Sequence, residues 1–360
     1  MEIEFHYYIT YLIAARAGYS PSEAAIIAHS SQAVDDNHVP ISVSPGTPVA
    51  YENVLSQTMD ITHPHHDTRI YPIFHFIPGD RKAETALRKD GKTSQWNTTP
   101  NSALVHAMID SALASNSLYR IGASAHAYCD TWAHQNFLGI EDEFNVMPFI
   151  KGDRVTAALD KVANIGHGPA QHMPDIVGLT WTDGRLIAKY EKVTNRVRFI
   201  EAARHLFGKL YRHKNPGFSV QVLQQEETAL VVDLYADIGG ADDKNLQVAN
   251  RMGRYHRRAL SPRYGGTPIP VYDPDAWANA ALNQEAGNVF DWLHNVAIKQ
   301  AGDYGDLIRL GSRAQCTWKT PNTHKTSDWY KFQEGIRTHL NECWSILVKA
   351  IPDAAKRAAQ

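Results

Sequence analysis

The stretch ASAHAYCDTWAHQNF, residues 123–137, carries the clearest pattern in the chain, because His126, Asp130 and His134 recur every four residues. On an α-helix each four-residue step rises about 6 Å and turns only about 40° past a full circle, so these side chains form one narrow stripe. The small residues in the ASA segment would let other helices approach closely. The stretch therefore predicts a closely packed helix with a polar stripe.

The stripe has two interpretations. His126 and His134 would lie about 12 Å apart along the axis, too far to share one ion at bonds of about 2.1 Å. The spacing therefore suits two metal ions bridged or flanked by Asp130 better than one ion. The alternative is a hydrogen-bonded His–Asp–His ladder inside a helical core.

Other histidines and carboxylates add to the case for metal. The chain has 18 His but only 3 Cys, so we expect ligands to be imidazoles and carboxylates rather than thiolates, a set that suits several zinc ions and hydrolysis. Asp35 and Asp36 end a helix, where the dipole disfavours them. His75 stands in the apolar run YPIFHFIP and needs a partner if it is buried. The remaining candidates are His6 on the first helix and His167, His172 and Asp175 in a loop.

The whole chain predicts an all-α fold, a multi-helix bundle with long irregular loops. A first helix is expected over 5–17, and a second begins with a capping box of Ser20 and Glu23. Residues 38–100 are rich in Pro, His, Gly and Thr and predict a long irregular excursion. Further helices are expected over 101–137, with a break near Ser117, and near 184–213, 223–260, 275–309 and 327–357. Strand signals are weak throughout.

Composition narrows the class of protein. The chain has 43 % hydrophobic and 21 % charged residues and a net charge of -2, which is typical of a globular protein with no global attraction for nucleic acid. No transmembrane segment and no cleaved signal peptide are expected, which predicts a cytoplasmic location or export without one. We expect a metal-binding helical core over 1–183 with a helical extension over 184–360, or one domain over 1–360. The oligomeric state is not predicted.

Three segments together resemble the superfamily of zinc-dependent phospholipases C and trinuclear-zinc single-strand nucleases. SSQAVDDN, residues 30–37, resembles the first carboxylate site of that group, and YPIFHFIP, residues 71–78, its short apolar His segment. AHAYCDTWAHQNF, residues 125–137, is the most specific element, since DTWAH resembles the DSFAH of many members. The resemblance covers roughly residues 1–180. The whole chain is also similar to an uncharacterised bacterial family within or near this group.

The resemblance implies a phospholipase C-like core that binds two or three zinc ions. It implies a first ion surrounded by Asp35, His75, His126 and Asp130, a second held by His134, His172 and Asp175, and a third that takes His6 and shares Asp130. Secreted members of the group bind the third ion through a processed N-terminal Trp, whereas this chain begins Met-Glu-Ile-Glu-Phe, so two ions are the alternative. The spacing leaves His167 as an alternative to His172, and Asp36 as an alternative to Asp35.

The activity implied is metal-dependent hydrolysis of a phosphoric ester, a phosphodiesterase acting on phospholipid or nucleic acid, with Asp35 and Asp130 as its catalytic carboxylates. Asp35 would orient the attacking water. A non-catalytic, metal-stabilised helical interaction module is the competing hypothesis.

Two other features invite functional readings. The adjacent pair His66 and Asp67 is similar to the metal-binding pair of HD-domain phosphohydrolases, but Pro64 argues against the helix which that pair needs. Basic residues cluster near 196–214 and 251–258, where we expect solvated faces or, if both line one surface, a phosphate-binding patch.

Overall fold

Helices account for most of the chain that the computed structural model describes, namely residues 1–58, 68–147, 164–239, 246–284 and 314–357. A π-helical segment, Glu4–Ile9, continues directly into the first α-helix. The α-helices are α1 (Thr10–Arg16), α2 (Pro21–Asp36), α3 (Ile70–Phe74), α4 (Ala103–Ala114), α5 (Leu118–Ala133), α6 (Asn195–Lys214), α7 (Val220–Ile238), α8 (Leu246–Ala259), α9 (Ala276–Ala281), α10 (Asp328–Ala350) and α11 (Asp353–Arg357). The predicted all-α class is confirmed only in its coarser form, a largely helical fold.

The predicted capping box of α2 and the predicted break near Ser117 are both present in the structure. At the start of α2, Glu23 N–H donates to Ser20 Oγ at 3.3 Å, and Ser20 N–H donates to the Glu23 carboxylate at 2.7 Å. The expected break near Ser117 separates α4 from α5, and the Ser117 hydroxyl caps α5 by accepting from Arg120 N–H. Asn116, just before it, adopts a φ of 55°, the left-handed conformation that ends a helix.

Short strands are present, although the strand signals in the sequence are weak. They are β1 (Ile41–Val43), β2 (Tyr51–Glu52), β3 (Thr180–Thr182), β4 (Lys192–Thr194), β5 (Leu282–Gln284) and β6 (Ala314–Trp318). A four-stranded sheet has the order β2-β1-β6-β5, in which β1 and β6 are parallel and the other pairs are antiparallel. β3 and β4 form an antiparallel pair. Strands this short carry too few residues for a period-two pattern to stand out.

Three helix bounds differ from the prediction. The helix expected from 184 begins only at Asn195, since β3 and β4 occupy part of the preceding segment. The segment expected over 223–260 contains two helices, and α7 ends where Gly239 adopts a φ of 72°. The segment near 275–309 starts with the short helix α9 and then β5, and its later part lies outside the described residues.

Helix α5 lies at the centre of the fold and packs against α2, α4, α6 and α10. All of its residues from Tyr119 to Ala133 are buried. Gly122 makes the closest approach possible, because a Cβ there would lie 2.4 Å from the Ile27 carbonyl oxygen of α2. The stripe of His and Asp is therefore carried by the most enclosed helix of the molecule.

One hydrophobic core contains residues from both halves of the chain. Phe5 and Leu12 from the N-terminal segment belong to the same buried cluster as Phe199, Leu230 and Ile336. The later helices thus pack directly against the elements that carry the stripe. Among the helices of the described ranges, none has the length and apolar character needed to cross a bilayer.

Candidate metal centre

Asp130 is the central carboxylate of the site, and its side chain is fully buried on α5. Its Oδ1 atom lies 3.1 Å from His6 Nε2 and 2.5 Å from the α-amino nitrogen of Met1. Its Oδ2 atom lies 3.1 Å from His126 Nε2 and 3.4 Å from His75 Nδ1. The two oxygens thus face different sets of nitrogen atoms, which is the placement of a carboxylate that bridges two ions.

Three adjoining groups of side chains offer ligand atoms that lie within 4.8 Å of one another. The groups are His6, His126 and Asp130; Asp35, His75 and His126; and His134, His167 and Asp175. Each contains two imidazoles and one carboxylate. Four ligands placed tetrahedrally at about 2.1 Å from zinc would lie about 3.4 Å apart, close to the separations around Asp130.

Backbone carbonyls fix which nitrogen of each histidine ring faces its group. Because a carbonyl can only accept a hydrogen bond, the ring nitrogen beside it must be the protonated one. Nδ1 donates in His126 (to Ser31 O, 2.8 Å), His134 (to His75 O, 2.7 Å) and His167 (to Gln171 O, 2.7 Å), and Nε2 donates in His75 (to Ser56 O, 2.9 Å). The opposite nitrogen of each ring faces the site: His126 Nε2 lies 3.2 Å from His75 Nδ1, and the Nε2 atoms of His134 and His167 lie 3.0 and 3.1 Å from the Asp175 carboxylate. Metal-binding histidines in proteins are oriented in this way.

Buried polar atoms without partners indicate that the site suits a cation. Within the described ranges, both ring nitrogens of His6 and the Oδ2 atom of Asp130 lack a hydrogen-bond partner. His6 Nε2 lies near Asp130 Oδ1, but the pair is not oriented as a hydrogen bond. Since buried polar atoms almost always have a partner, an ion between these atoms accounts for them better than a hydrogen-bonded ladder does.

The electrostatics of the site lower the pKa values of Asp130, His134 and His6, whereas nearby carboxylates outweigh burial and raise the pKa values of His126 and His167. Burial opposes the charge of Asp130, but His134, the Met1 amine and His126 together hold its pKa well below the usual range. Burial lowers the pKa of His134 to about 4, and burial with neighbouring His126 lowers that of His6 well below its usual value. An ionised carboxylate and neutral imidazoles are the forms that bind metal.

One edge of the site is open to solvent. The Asp35 side chain is 28 % exposed, whereas that of Asp130 is 1 % exposed. The Oδ1 atom of Asp35 lies 3.6 Å from His126 Nε2 and 3.8 Å from His75 Nδ1. Water and a small polar group can therefore reach the centre beside Asp35.

The structure separates the predicted ligands into two sets. It brings together His6, Asp35, His75, His126, Asp130, His134, His167 and Asp175, and leaves Asp36 and His172 outside these groups. Asp35 and Asp36 differ by about 100° around α2, so only one faces α5. The Asp36 carboxylate instead accepts a hydrogen bond from the Tyr272 hydroxyl.

Of His167 and His172, only His167 lies beside the predicted ligand Asp175. His167 Nε2 lies 3.1 Å from Asp175 Oδ2, whereas His172 is exposed. A 3-10 turn over Gly168–Ala170 and a φ of 52° at Gln171 reverse the chain between the two histidines. This turn brings His167 to Asp175 and directs His172 away.

The Met1 amine and the π-helical segment were not predicted. The amine lies 3.3 Å from Asp175 Oδ1 as well as close to Asp130. The resemblance gave an N-terminal amine a place beside the third ion, but the sequence Met-Glu-Ile-Glu-Phe contains no Trp that would have signalled it here. No residue pattern in the segment distinguishes a π-helix from an α-helix.

The pair His66–Asp67 and the two basic clusters are the other features for which the sequence suggested a function. The pair His66 and Asp67 lies outside the described residues. Five of the ten arginines and lysines in the two basic clusters form ion pairs within the chain, and Arg196, Arg198 and Arg254 donate to backbone carbonyls, so the clusters do not form a continuous unpaired phosphate-binding face. These pairs include Arg204 with Glu201, Lys209 with Asp110, Lys214 with Glu23, Arg251 with Glu4, and Arg258 with Asp233 and Asp237.

Fold and site together define a largely helical protein in which three adjoining His/Asp groups surround one buried helix. Residues 1–347 match the family of unknown function DUF6765, and the chain belongs to that family. No curated protein and no solved structure matches the chain.

Proposed function

We propose that the protein is a zinc-dependent hydrolase of phosphoric esters, with two or three zinc ions bound by the groups around Asp130. The observation that carries this proposal is the position of Asp130, whose two carboxylate oxygens face different sets of imidazole nitrogens. A shared carboxylate between adjoining ligand groups is suited to a multinuclear hydrolytic centre. The resemblance of residues 1–180 to zinc-dependent phospholipases C and nucleases supports the same reaction class.

The donor set supports zinc rather than a harder or softer ion. Imidazole and carboxylate ligands suit zinc, and two imidazoles with one carboxylate leave a coordination position open for water. Magnesium and calcium prefer sets made wholly of oxygen atoms. The three cysteines, Cys129, Cys316 and Cys343, are buried and lie outside the groups.

Different side chains of the site would have different roles in a hydrolytic reaction. Bound zinc would supply a hydroxide at neutral pH and polarise the ester. Asp35, at the open edge of the site, is placed to accept a proton from the attacking water and to orient it. Asp130 holds the buried side of the centre and is too enclosed to exchange protons with solvent. This division requires no nucleophilic Ser or Cys.

The substrate proposed is a phosphodiester, carried by either a phospholipid or a nucleic acid. Both sources present the same phosphate group to the open edge beside Asp35. The competing proposal is a non-catalytic interaction module in which the metal only stabilises the fold. The exposure of Asp35 favours the enzyme, because a catalytic zinc site needs an edge that water and substrate can reach.

The proposed hydrolase activity can be tested by comparing substitutions of the adjacent residues Asp35 and Asp36. We expect the zinc-loaded protein to hydrolyse bis(p-nitrophenyl) phosphate, a short-chain phosphatidylcholine or single-stranded DNA. Asp35→Asn should lower the rate by about 10²–10⁴-fold, the usual contribution of a general base. Asp36→Asn, which alters the neighbour that binds Tyr272, should change it only a few-fold. A zinc-loaded wild type that cleaves none of the three substrates would favour the interaction module.

A further inference from the structure

The segment that carries His6 is held from the opposite side by helix α8. Arg251 Nε donates to Glu4 Oε1 at 2.6 Å, and Arg251 Nη2 donates to Glu4 Oε2 at 3.0 Å. The Tyr255 hydroxyl donates to Glu4 Oε1 at 2.6 Å. Glu4, Arg251 and Tyr255 are all buried, and we call this set the Glu4 clamp.

The clamp and the metal centre lie on different sides of one short segment. Glu4 and His6 are two positions apart, so on a helix they point in nearly opposite directions. Between them, Phe5 packs edge-on against Phe199 of α6, with ring centroids 5.7 Å apart. Glu4 thus contacts α8, Phe5 contacts α6, and His6 faces the candidate metal centre. These contacts fix the rotation of the segment about its axis.

The segment has a π-helical conformation, which bears on the position of His6. π-Helical turns are rare and occur mostly at functional sites, and here the turn spans Glu4–Ile9. In this turn His6 Nε2 lies 3.1 Å from Asp130 Oδ1. The contacts of Glu4 and Phe5 hold the turn that presents His6 to the site.

Stability alone does not explain a buried ion pair at this place. Removing two charges from water is costly, and replacing such a pair with apolar residues is often neutral or stabilising. A bidentate Arg–carboxylate pair does, however, specify one relative orientation of its two partners. The Glu4 clamp has the geometry for that role.

We infer that Glu4, Arg251 and Tyr255 are positioning residues that hold His6 toward Asp130, so that helix α8 completes the metal centre. The inference rests on the proposed function only in requiring that the centre binds zinc. It gives the later part of the chain a role at a site whose candidate ligands, within the described ranges, come from residues before 176.

The test compares two arginines of α8. Arg251→Met removes the clamp, whereas Arg258→Met removes ion pairs of 2.8 and 2.9 Å to Asp237 and Asp233 of α7. We expect Arg251→Met to weaken the binding of one zinc ion by about 10–100-fold, the usual effect of losing a residue that supports a ligand. Arg258→Met should leave all zinc affinities unchanged. Chelator competition with the metal-loaded full chain measures these affinities without an activity assay.

A second variant covers the case in which Arg251→Met does not fold. Glu4→Gln keeps the shape of the side chain and removes its charge, and it should weaken the same single ion. Unchanged zinc affinity in Glu4→Gln, or equal weakening in Arg258→Met, would overturn the inference while leaving the proposed function intact. A wild type that binds no zinc would overturn both. Zinc binding that follows the clamp without any phosphodiester hydrolysis would uphold the inference and contradict the proposed function alone.

Discussion

At the scale of single residues, the site depends on whether His167 or His172 lies beside Asp175. His134 Nε2 lies 3.0 Å from Asp175 Oδ1, and His167 Nε2 lies 3.1 Å from its Oδ2. One carboxylate thus has an imidazole at each oxygen, which completes the third ligand group. His172 is exposed and outside the groups.

His167 and His172 therefore form a matched pair for mutation. We expect His167→Ala to weaken zinc binding at this group by more than about 100-fold, because even the loss of a supporting residue costs 10–100-fold. His172→Ala should leave the affinity within a few-fold of wild type. Zinc titration in competition with a chelator measures both. The reverse result would mean that the turn at Gly168–Ala170 does not decide the ligand.

Other single residues show what the sequence could and could not predict about the site. The four-residue spacing of His126, Asp130 and His134 predicted a stripe on one helix, and the structure brings these residues into the three groups. The choice of Asp35 over Asp36 follows from the rotation of α2 against α5, which no local pattern contains. The Met1 amine reaches Asp130 only because distant elements hold the N-terminal segment.

At the scale of elements, the contact between α2 and α5 sets the width of the site, since α2 carries Asp35 and α5 carries Asp130. Gly122 lies at this contact. A Cβ at this position would be 2.4 Å from the Ile27 carbonyl oxygen and 2.5 Å from Ser30 Cβ. Neither atom belongs to the end of a flexible side chain, so the helices would have to separate.

Two helical glycines are predicted to respond to alanine in opposite ways. Gly122→Ala should lower the free energy of unfolding by about 1–3 kcal/mol, the usual cost of overpacking. Gly253→Ala in α8 should raise it by up to about 1 kcal/mol, because alanine favours a helix and the nearest atom, Arg257 Nη1, lies 3.6 Å away. Urea unfolding of both variants measures the difference. A stabilised Gly122→Ala would contradict the close packing of α2 and α5.

The elements also differ in how far the sequence could predict them. The start of helix α2 was predicted because its capping box lies within four residues. A break was predicted near Ser117, and in the structure this residue caps α5. The parallel pairing of β1 with β6 joins Val43 to Cys316, and no local pattern encodes so distant a partner. Helix α6 was predicted to start too early because the short strands β3 and β4 carry too little periodicity to be separated from it.

At the scale of the whole molecule, the proposed centre joins separate parts of the chain. Its ligands come from the π-helical segment, α2, the end of α3, α5 and the loop around 167–175. Unfolding would disperse all of them, so zinc bound in the native state must stabilise the fold.

Removal of zinc should therefore lower the melting temperature. At a thousand-fold excess over Kd, one bound ion contributes about 4 kcal/mol, which corresponds to roughly 5–10 °C in Tm for a chain of this size. Scanning calorimetry with and without a chelator measures the shift, and added zinc should restore it. Magnesium, which prefers oxygen ligands, should not. Equal restoration by magnesium would argue against the imidazole groups as the binding site.

The central claim is that Asp130 bridges a zinc centre, and metal content per chain in wild type and Asp130→Asn tests it most directly. Elemental analysis should find two or three zinc ions per wild-type chain. In Asp130→Asn at most one should remain, held by the separate group of His134, His167 and Asp175. A wild type that contains no metal and stays folded in chelator would contradict the claim. The His–Asp–His stripe of α5 would then be a buried hydrogen-bond ladder.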